Sequence, residues 1–213
     1  MALQQLQTQP SAPPPAVGSY IAQRYVVEAS LGAGGMAEVF RVRDTADGSV
    51  VALKRLNQEL VARRPVVAML FEREYHTLKQ LQHPSIVRVH DYGLCELGPY
   101  YTMELLGGDD LMQLAPLPWR EACAVLRDVA SSLAIVHSRR LLHRDVSPRN
   151  VRRGPDGRAK LIDFGAMATL GCSGELIGTP PCVPPEAVHG QPLDARADLY
   201  ALGAVAYWTL TGS

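Results

Sequence analysis

The stretch His143-Arg144-Asp145-Val146-Ser147-Pro148-Arg149-Asn150 and the later tripeptide Asp163-Phe164-Gly165 decide the fold of this chain. An aspartate on a loop, here Asp145, can orient a hydroxyl group and accept its proton. The side-chain oxygen of Asn150 can bind a metal ion, and the Asp163 carboxylate, which follows an apolar strand, is the kind of ligand that Mg²⁺ prefers. Either segment alone is also compatible with an ordinary loop, so its interpretation depends on the rest of the chain.

A glycine-rich turn lies between two apolar strands near the beginning of the chain. Gly32-Ala33-Gly34-Gly35 is followed by the strand 39–42. Glycines let backbone N–H groups approach phosphate oxygens because no Cβ stands in the way. The pattern also fits a plain glycine-rich hairpin. A dinucleotide-binding βαβ unit is disfavoured, because that motif needs a helix directly after the glycines.

Lys54 ends the apolar strand 50–54 and is one of only three lysines among the 21 basic residues. An ammonium group in this place can pair with phosphates, and a desolvated charge there needs a carboxylate partner. Glu74, on the predicted helix 66–81, is the candidate partner, and Glu72 lies on a different side of that helix. The alternative is a surface lysine whose stem covers apolar surface.

The order of the predicted elements indicates an α+β fold. Residues 25–105 read as a five-stranded antiparallel sheet with one main helix. The remainder is mainly helical, with an amphipathic helix at 119–137 and an apolar helix at 199–210. The apolar helix is too short to span a bilayer and reads as a core element.

The composition is that of an ordinary globular protein. Lys+Arg and Asp+Glu are both 21, so the net charge of zero favours neither nucleic acid nor an anionic membrane as partner. The four cysteines show no CxxC spacing, which predicts free thiols and a cytoplasmic location. Residues 1–20 are rich in Gln, Pro and Ala; we expect a disordered leader and not a signal peptide.

Taken together, the motifs occur in a characteristic order: glycine-rich hairpin, strand lysine, helix glutamate, His-Arg-Asp with Asn150, Asp-Phe-Gly, and Pro185-Glu186. This order resembles the protein kinase family, and the wording of residues 31–40 and 178–180 looks like its bacterial serine/threonine branch. The resemblance implies a two-lobed kinase domain over 21–213, with an N-lobe at about 21–106 and a partial C-lobe at about 107–213. The family continues with further C-lobe helices, so we expect the chain to be C-terminally truncated.

The resemblance also implies ATP and Mg²⁺ as cofactors and assigns roles to residues. Asp145 would be the catalytic base, Lys54 would bind the α- and β-phosphates and pair with Glu74, and Asn150 and Asp163 would hold Mg²⁺. Met103 would be the gatekeeper before an adenine hinge, and Asp198 would anchor the catalytic loop. The nucleotide site as a whole would include Leu31, Gly32, Ala33, Gly34, Gly35, Val39, Ala52, Lys54, Glu74, Met103, Glu104, Leu106 and Asp110. The stacked apolar spine of the family matches Leu78, Val89, His143 and Phe164.

Two positions depart from the family pattern. Ser147 stands where a lysine usually contacts the γ-phosphate, and Arg149 is a candidate replacement cation. Arg152 stands where an apolar residue usually lies beneath the adenine. These departures keep open a pseudokinase or a truncated fragment that acts as a nucleotide- or protein-binding module. A tyrosine kinase and a small-molecule kinase are less favoured, because of Gly178-Thr179-Pro180 and of Pro185-Glu186.

The expected partner is a protein substrate with a serine or threonine hydroxyl. Self-association or autophosphorylation is also expected, with possible phosphosites at Thr169, Ser173 and Thr179. A phosphate on one of them could pair with Arg144.

Overall fold

A computed structural model describes residues 15–34, 36–172 and 177–213. The chain divides into two compact units: one contains the described part of Met1–Met69 together with Tyr92–Thr102, and the other contains Leu70–Asp91 and Met103–Ser213. The α+β prediction is confirmed.

The main sheet has six strands, whereas the sequence predicts five. The first four strands pair with one another in an antiparallel manner. Its strands are β1 (Tyr20–Ile21), β2 (Tyr25–Ala33), β3 (Ala37–Asp44), β4 (Val50–Leu56), β5 (Val89–Cys95) and β6 (Gly98–Met103), in the order β1-β2-β3-β4-β6-β5. The extra strand β1 pairs with β2, Tyr20 opposite Val26 and Ile21 opposite Tyr25. Two residues are too few to show an alternating pattern, so the sequence does not reveal this strand.

The core of the first unit lies on one face of these strands. Its buried cluster consists of Ile21, Tyr25, Val27, Phe40, Val42, Leu53 and Tyr100. The rings of Tyr25 and Tyr100 meet edge to face, with their centroids 5.7 Å apart, an arrangement that aromatic pairs prefer. Outside the sheet, the short helix α1 (Gln58–Arg63) begins at Asn57, whose side chain accepts hydrogen bonds from two backbone N–H groups.

The sequence predicts a strand over residues 86–92, whereas β5 begins three residues later, at Val89. Residues 86 and 87 belong to a different interaction: Ile86 forms a parallel bridge with Leu161, and the Val87 N–H donates to the Leu161 carbonyl at 3.2 Å. Leu161 N–H in turn donates to the Ser85 carbonyl at 2.8 Å. A short apolar run does not show which strand it will pair with, so the sequence does not determine this boundary.

The second unit is built around two helices that pack against each other, α4 (Trp119–Ser138) and α6 (Ala195–Thr211). The buried side of α4 carries Ala122, Val125, Val129, Leu133 and Val136, and that of α6 carries Ala197, Ala201 and Val205. The remaining elements are α2 (Val66–Gln80), which begins in the first unit, β7 (Asp109–Asp110), α3 (Leu111–Leu114), β8 (Leu141–Leu142), β9 (Val151–Arg153), β10 (Ala159–Leu161), β11 (Ala168–Thr169) and α5 (Pro185–Val188). Strands β10-β9-β7 and β11-β8 form two small sheets.

Candidate functional site

The glycine-rich hairpin is formed by the adjoining ends of β2 and β3. Gly32 lies opposite Val39, and the Gly34 N–H donates to the Ala37 carbonyl at 2.9 Å, which closes the turn. A Cβ built on Gly32 would meet no described atom within 4 Å, and Leu31 beside it is 48% exposed. Among the described residues, no close contact therefore requires a glycine at position 32. Gly35 lies outside the described residues.

Lys54 belongs to β4 of the same unit, directly opposite Val39 of β3. Its Nζ lies 5.8 Å from the centroid of the Tyr101 ring, within the range of a cation–π contact. Two residues earlier, Ala52 is buried. The register thus places the lysine, the valine and the tip of the hairpin on neighbouring strands.

Glu74 is the inward-facing glutamate of α2 in the second unit. It is 5% exposed, whereas the Glu72 side chain is about half exposed and lies 3.8 Å from His76. A Cβ built on Gly165 would lie 3.6 Å from Glu74 Oε2. The Glu74 carboxylate therefore faces the Asp163-Phe164-Gly165 segment.

The loop that begins at His143 is held by one buried carboxylate on α6. Asp198 accepts hydrogen bonds from the backbone N–H groups of His143 and Arg144, each at 2.9 Å, and lies 2.7 Å from His137 Nε2. Burial by itself would raise the pKa of Asp198, but the His137 bond, the His143 ring and the two N–H donors outweigh it and hold the pKa below its usual value. Asp198 therefore stays ionised and anchors the loop.

Asp145 carries hydrogen bonds on both carboxylate oxygens. Asn150 Nδ2 donates to Asp145 Oδ2 and to its main-chain carbonyl, both at 2.8 Å. Thr179 donates its N–H and its hydroxyl to Asp145 Oδ1, both at 3.0 Å. The carboxylate is thus fixed in orientation by a residue of its own loop and by one 34 positions away.

Asn150 and Asp163 form a donor set that fits a hard divalent cation. The Asn150 amide nitrogen is engaged with Asp145, so its side-chain oxygen is the atom that can bind a metal. The Ile162 N–H donates to the Asn150 carbonyl at 2.9 Å, which ties Asn150 to the residue just before Asp163. No group of three or more His, Cys, Asp or Glu that could hold a metal occurs among the described residues. A hard cation takes about six or more oxygen ligands, so Asn150 and Asp163 would supply only part of its coordination shell.

Two non-glycine residues at this site have left-handed backbone conformations. Arg144 has φ 68° and Asp163 has φ 58°. Such conformations cost about 1–3 kcal/mol and persist only where the surroundings enforce them. For Arg144, the enforcing contact is the bond from its N–H to Asp198.

The rings of His143 and Phe164 form the buried link between the two motifs. Their centroids are 4.6 Å apart in an edge-on arrangement, and both residues are fully buried, as Leu78 and Val89 nearly are. Burial lowers the pKa of His143 below its usual 6.5, although the carboxylates of Asp198, Asp163 and Asp145 oppose this effect. The ring is therefore neutral at pH 7.

The segment after β6 contains the residues for which an adenine-binding role is expected. The Glu104 N–H donates to the Arg88 carbonyl at 2.9 Å, and the Arg88 N–H donates back to Glu104 Oε1 at 2.7 Å. Met103 ends β6, and Leu106 lies two residues beyond Glu104. Asp110 has a structural role in this chain, because its side chain accepts the Gln113 N–H at 3.1 Å and caps α3. Its contact with a ribose remains a prediction.

The two departures from the family pattern have different surroundings. Ser147 is 1% exposed, and its hydroxyl has no hydrogen-bond partner among the described residues. Arg149, two residues later on a short 3₁₀ turn, is exposed. Arg152 donates from Nη2 to the Gly108 carbonyl.

Several of these interactions were not predicted from the sequence. The partners His137 of Asp198 and Thr179 of Asp145 are 61 and 34 residues away from those carboxylates. Thr179 is predicted as part of the Gly178-Thr179-Pro180 wording and as a phosphosite, but not as a partner of Asp145. The other predicted phosphosites are Thr169, which is exposed in β11, and Ser173, which lies outside the described residues.

Comparison with known proteins agrees with this arrangement. The profile of the protein kinase domain family matches residues 25–213. The chain is 36% identical to the serine/threonine-protein kinase pkn3 of Myxococcus xanthus, over 92% of this chain and 39% of that protein. It is 39% identical to the DNA damage-responsive serine/threonine-protein kinase RqkA of Deinococcus radiodurans, over 92% of this chain and 31% of that protein. It is 35% identical to the serine/threonine-protein kinase PknB of Mycobacterium leprae, over 91% of this chain and 33% of that protein.

The chain thus spans about a third of the length of these curated relatives. The matched range 25–213 nevertheless includes the glycine-rich hairpin, Lys54, the His143–Asn150 loop and Asp163. The chain belongs to the protein kinase domain family.

Proposed function

We propose that this chain transfers the γ-phosphoryl group of ATP to a serine or threonine hydroxyl of a protein. The observation that carries the proposal is the Asp145 carboxylate, oriented by Asn150 and Thr179 on a loop that the buried Asp198 anchors. The relatives named as serine/threonine kinases support the class of acceptor.

In this proposal Asp145 orients the acceptor hydroxyl and takes its proton. Each carboxylate oxygen has two lone pairs, so Asp145 can accept a further hydrogen bond while it keeps those of Asn150 and Thr179. Little covalent chemistry is required of the protein in phosphoryl transfer, where positioning and charge neutralisation account for most of the rate.

Nucleotide and metal would be held by the residues that match the family pattern. Lys54 would bind the α- and β-phosphates beneath the glycine-rich hairpin, and Glu104 and Leu106 would bind adenine through their backbone groups. Asn150 and Asp163 would hold Mg²⁺, which neutralises charge on the triphosphate when bound. Since Ser147 supplies no cation, we assign to Arg149 the stabilisation of charge on the transferred phosphoryl group.

We also make proposals about the location of the chain and about its autophosphorylation. We infer a cytoplasmic location, supported by four cysteines that are free in the described chain. Autophosphorylation at the exposed Thr169 would require a second copy or a mobile segment. No helix among residues 15–34, 36–172 and 177–213 is long and apolar enough to cross a bilayer.

The test is transfer of labelled γ-phosphate from Mg-ATP to the chain itself and to a generic basic protein. We expect Asp145→Ala to lower transfer by about 10²–10⁴-fold, because it removes the proton acceptor. Asp156→Ala, which removes an exposed turn carboxylate, is the matched control and should leave transfer unchanged. Arg149→Ala should lower kcat by about tenfold or more, with a smaller change in KM.

Absence of transfer by the unaltered chain would contradict the proposal. It would leave the pseudokinase alternative, which rests on Ser147 and Arg152 and gains no added support from the described residues. Transfer that survives Asp145→Ala would instead reject Asp145 as the base.

A further inference from the structure

The irregular segment of residues 104–108, here named the hinge segment, is held at its first residue by a lysine. Lys160 Nζ donates to Glu104 Oε1 at 2.5 Å, and the same oxygen accepts the Arg88 N–H. Both side chains of the pair are only about a quarter exposed. The pair is therefore partly desolvated, and its attraction is stronger than that of a fully exposed ion pair.

The last residue of the hinge segment is held by an arginine. Arg152 donates from its guanidinium to the carbonyl of Gly108. Arg152 and Lys160 are directly opposite each other in the register of β9 and β10. Cross-strand neighbours project from the same face of a sheet, so a single pair of adjacent cations holds both ends of the hinge segment.

One side of the hinge segment has little packing to hold it in place. Residues 104–107 border a cleft of about 520 Å³, whose other walls include Pro84, Pro155 and Arg158. Close-packed neighbours normally fix a loop of this kind. Because a cleft replaces such neighbours on this side, the position of the hinge segment depends more on the contacts at its two ends.

We propose that Lys160 and Arg152 are positioning residues that set nucleotide affinity by fixing the hinge segment. The inference rests on the proposed function, in which the backbone groups of Glu104 and Leu106 bind adenine. A binding segment that is already held in its bound conformation loses less conformational entropy when the ligand arrives. Neither cation needs to touch the nucleotide phosphates, so the effect falls on affinity and not on the chemical step.

The test compares Lys160→Met and Arg152→Met with Arg158→Met. Methionine retains an unbranched apolar stem but removes the donor. Arg158 borders the same cleft, and its side chain is 72% exposed and lies 4.0 Å from Asp156, which makes it the matched control. We expect each of the first two changes to raise the KM for ATP by about three- to tenfold and to alter kcat by less than about twofold. Arg158→Met should leave both constants unchanged.

Conservative variants and hydrogen exchange complete the experiment. Lys160→Arg and Arg152→Lys keep a donor at each end, so both should restore the KM to within about twofold of the original value. In the nucleotide-free chain, the amides of residues 104–108 should exchange faster in Lys160→Met and Arg152→Met than in the original chain and in Arg158→Met.

Unchanged exchange rates in both methionine variants would overturn the positioning role, whatever the kinase activity. Faster exchange with an unchanged KM would overturn the link to nucleotide affinity. If the original chain bound no ATP, the proposed function and the affinity link would fail together, and the exchange rates would still decide whether the two cations hold the segment.

Discussion

The loop at His143–Asn150 and the hinge segment at residues 104–108 are both irregular stretches that must hold chemical groups in place, but they are held by different means. The loop is anchored from beneath by Asp198, which is 1% exposed and receives two backbone N–H bonds and a histidine contact. The hinge segment is held by an ion pair whose members are about a quarter exposed, by two bonds between Glu104 and Arg88, and by one bond to the Gly108 carbonyl.

The two anchors differ in how much free energy of unfolding is lost when one of their members is removed. Removing one member of a buried charged network leaves the others unsatisfied in a low dielectric, which costs several kcal/mol. Removing one member of a partly exposed pair lets water replace it, so the cost is about 1 kcal/mol or less. We therefore expect the loop to fail together with the fold, and the hinge segment to loosen while the fold remains intact.

The largest expected effect is that of Asp198→Ala. The change leaves the N–H groups of His143 and Arg144 and the His137 ring without their acceptor, so we expect a loss of about 3–5 kcal/mol in the free energy of unfolding. Urea denaturation measures it. Asp194→Ala, at the N-cap of the same helix, is the control and should cost about 1 kcal/mol. Equal losses in the two variants would show that burial does not raise the cost of losing the Asp198 carboxylate.

A smaller effect concerns the pH dependence of stability. Burial lowers the pKa of His143 below 6.5, so between the folded and the unfolded pKa the unfolded state binds a proton that the folded state does not. The free energy of unfolding should therefore fall as the pH drops below about 6.5, by up to about 1.4 kcal/mol per pH unit. Asp198 has a separate window, since its pKa lies below 3.8 and its contribution is lost only as the pH falls from about 4 through that lowered value.

Chemical unfolding at a series of pH values between 5 and 8 checks the His143 prediction. His143→Gln should flatten the slope, whereas His76→Gln, which removes an exposed histidine of α2, should leave it unchanged. A slope that persists in His143→Gln would assign the pH dependence to another group.

We expect the weakest effect on stability from a change at Ser147, which lies in the His143–Asn150 loop. Ser147 is buried with a hydroxyl that lacks a partner among the described residues, so Ser147→Ala should stabilise the fold by about 0.5–1 kcal/mol. Ser132 is also fully buried, but its hydroxyl donates to the Val129 carbonyl at 2.7 Å. Ser132→Ala should therefore destabilise by about 1 kcal/mol, and thermal unfolding of the two variants gives the signs. Destabilisation by Ser147→Ala would mean that the hydroxyl has a role in the folded chain.

The sequence predicts the elements of this fold better than it predicts their contacts. The helices at 66–81, 119–137 and 199–210 correspond to α2, α4 and α6, because their periodic apolar residues are local signals. The strand β1 and the pairing of residues 85–87 with Leu161 were missed, because short segments pair with partners that only the folded chain brings near. The bond from Arg152 to the Gly108 carbonyl was missed for the same reason, since the two residues are 44 positions apart. That Arg152 lies beneath the adenine stays a prediction.

The sequence by itself determined the family of this chain, because the spacing of Gly32, Lys54, Asp145, Asn150 and Asp163 along the chain carries that information without any contact. The partners of the anchoring charges became known only from the tertiary structure. Asp198 meets His137 across 61 residues and Lys160 meets Glu104 across 56. Burial and hydrogen bonding are properties of side chains that folding brings together, and they follow from no local pattern.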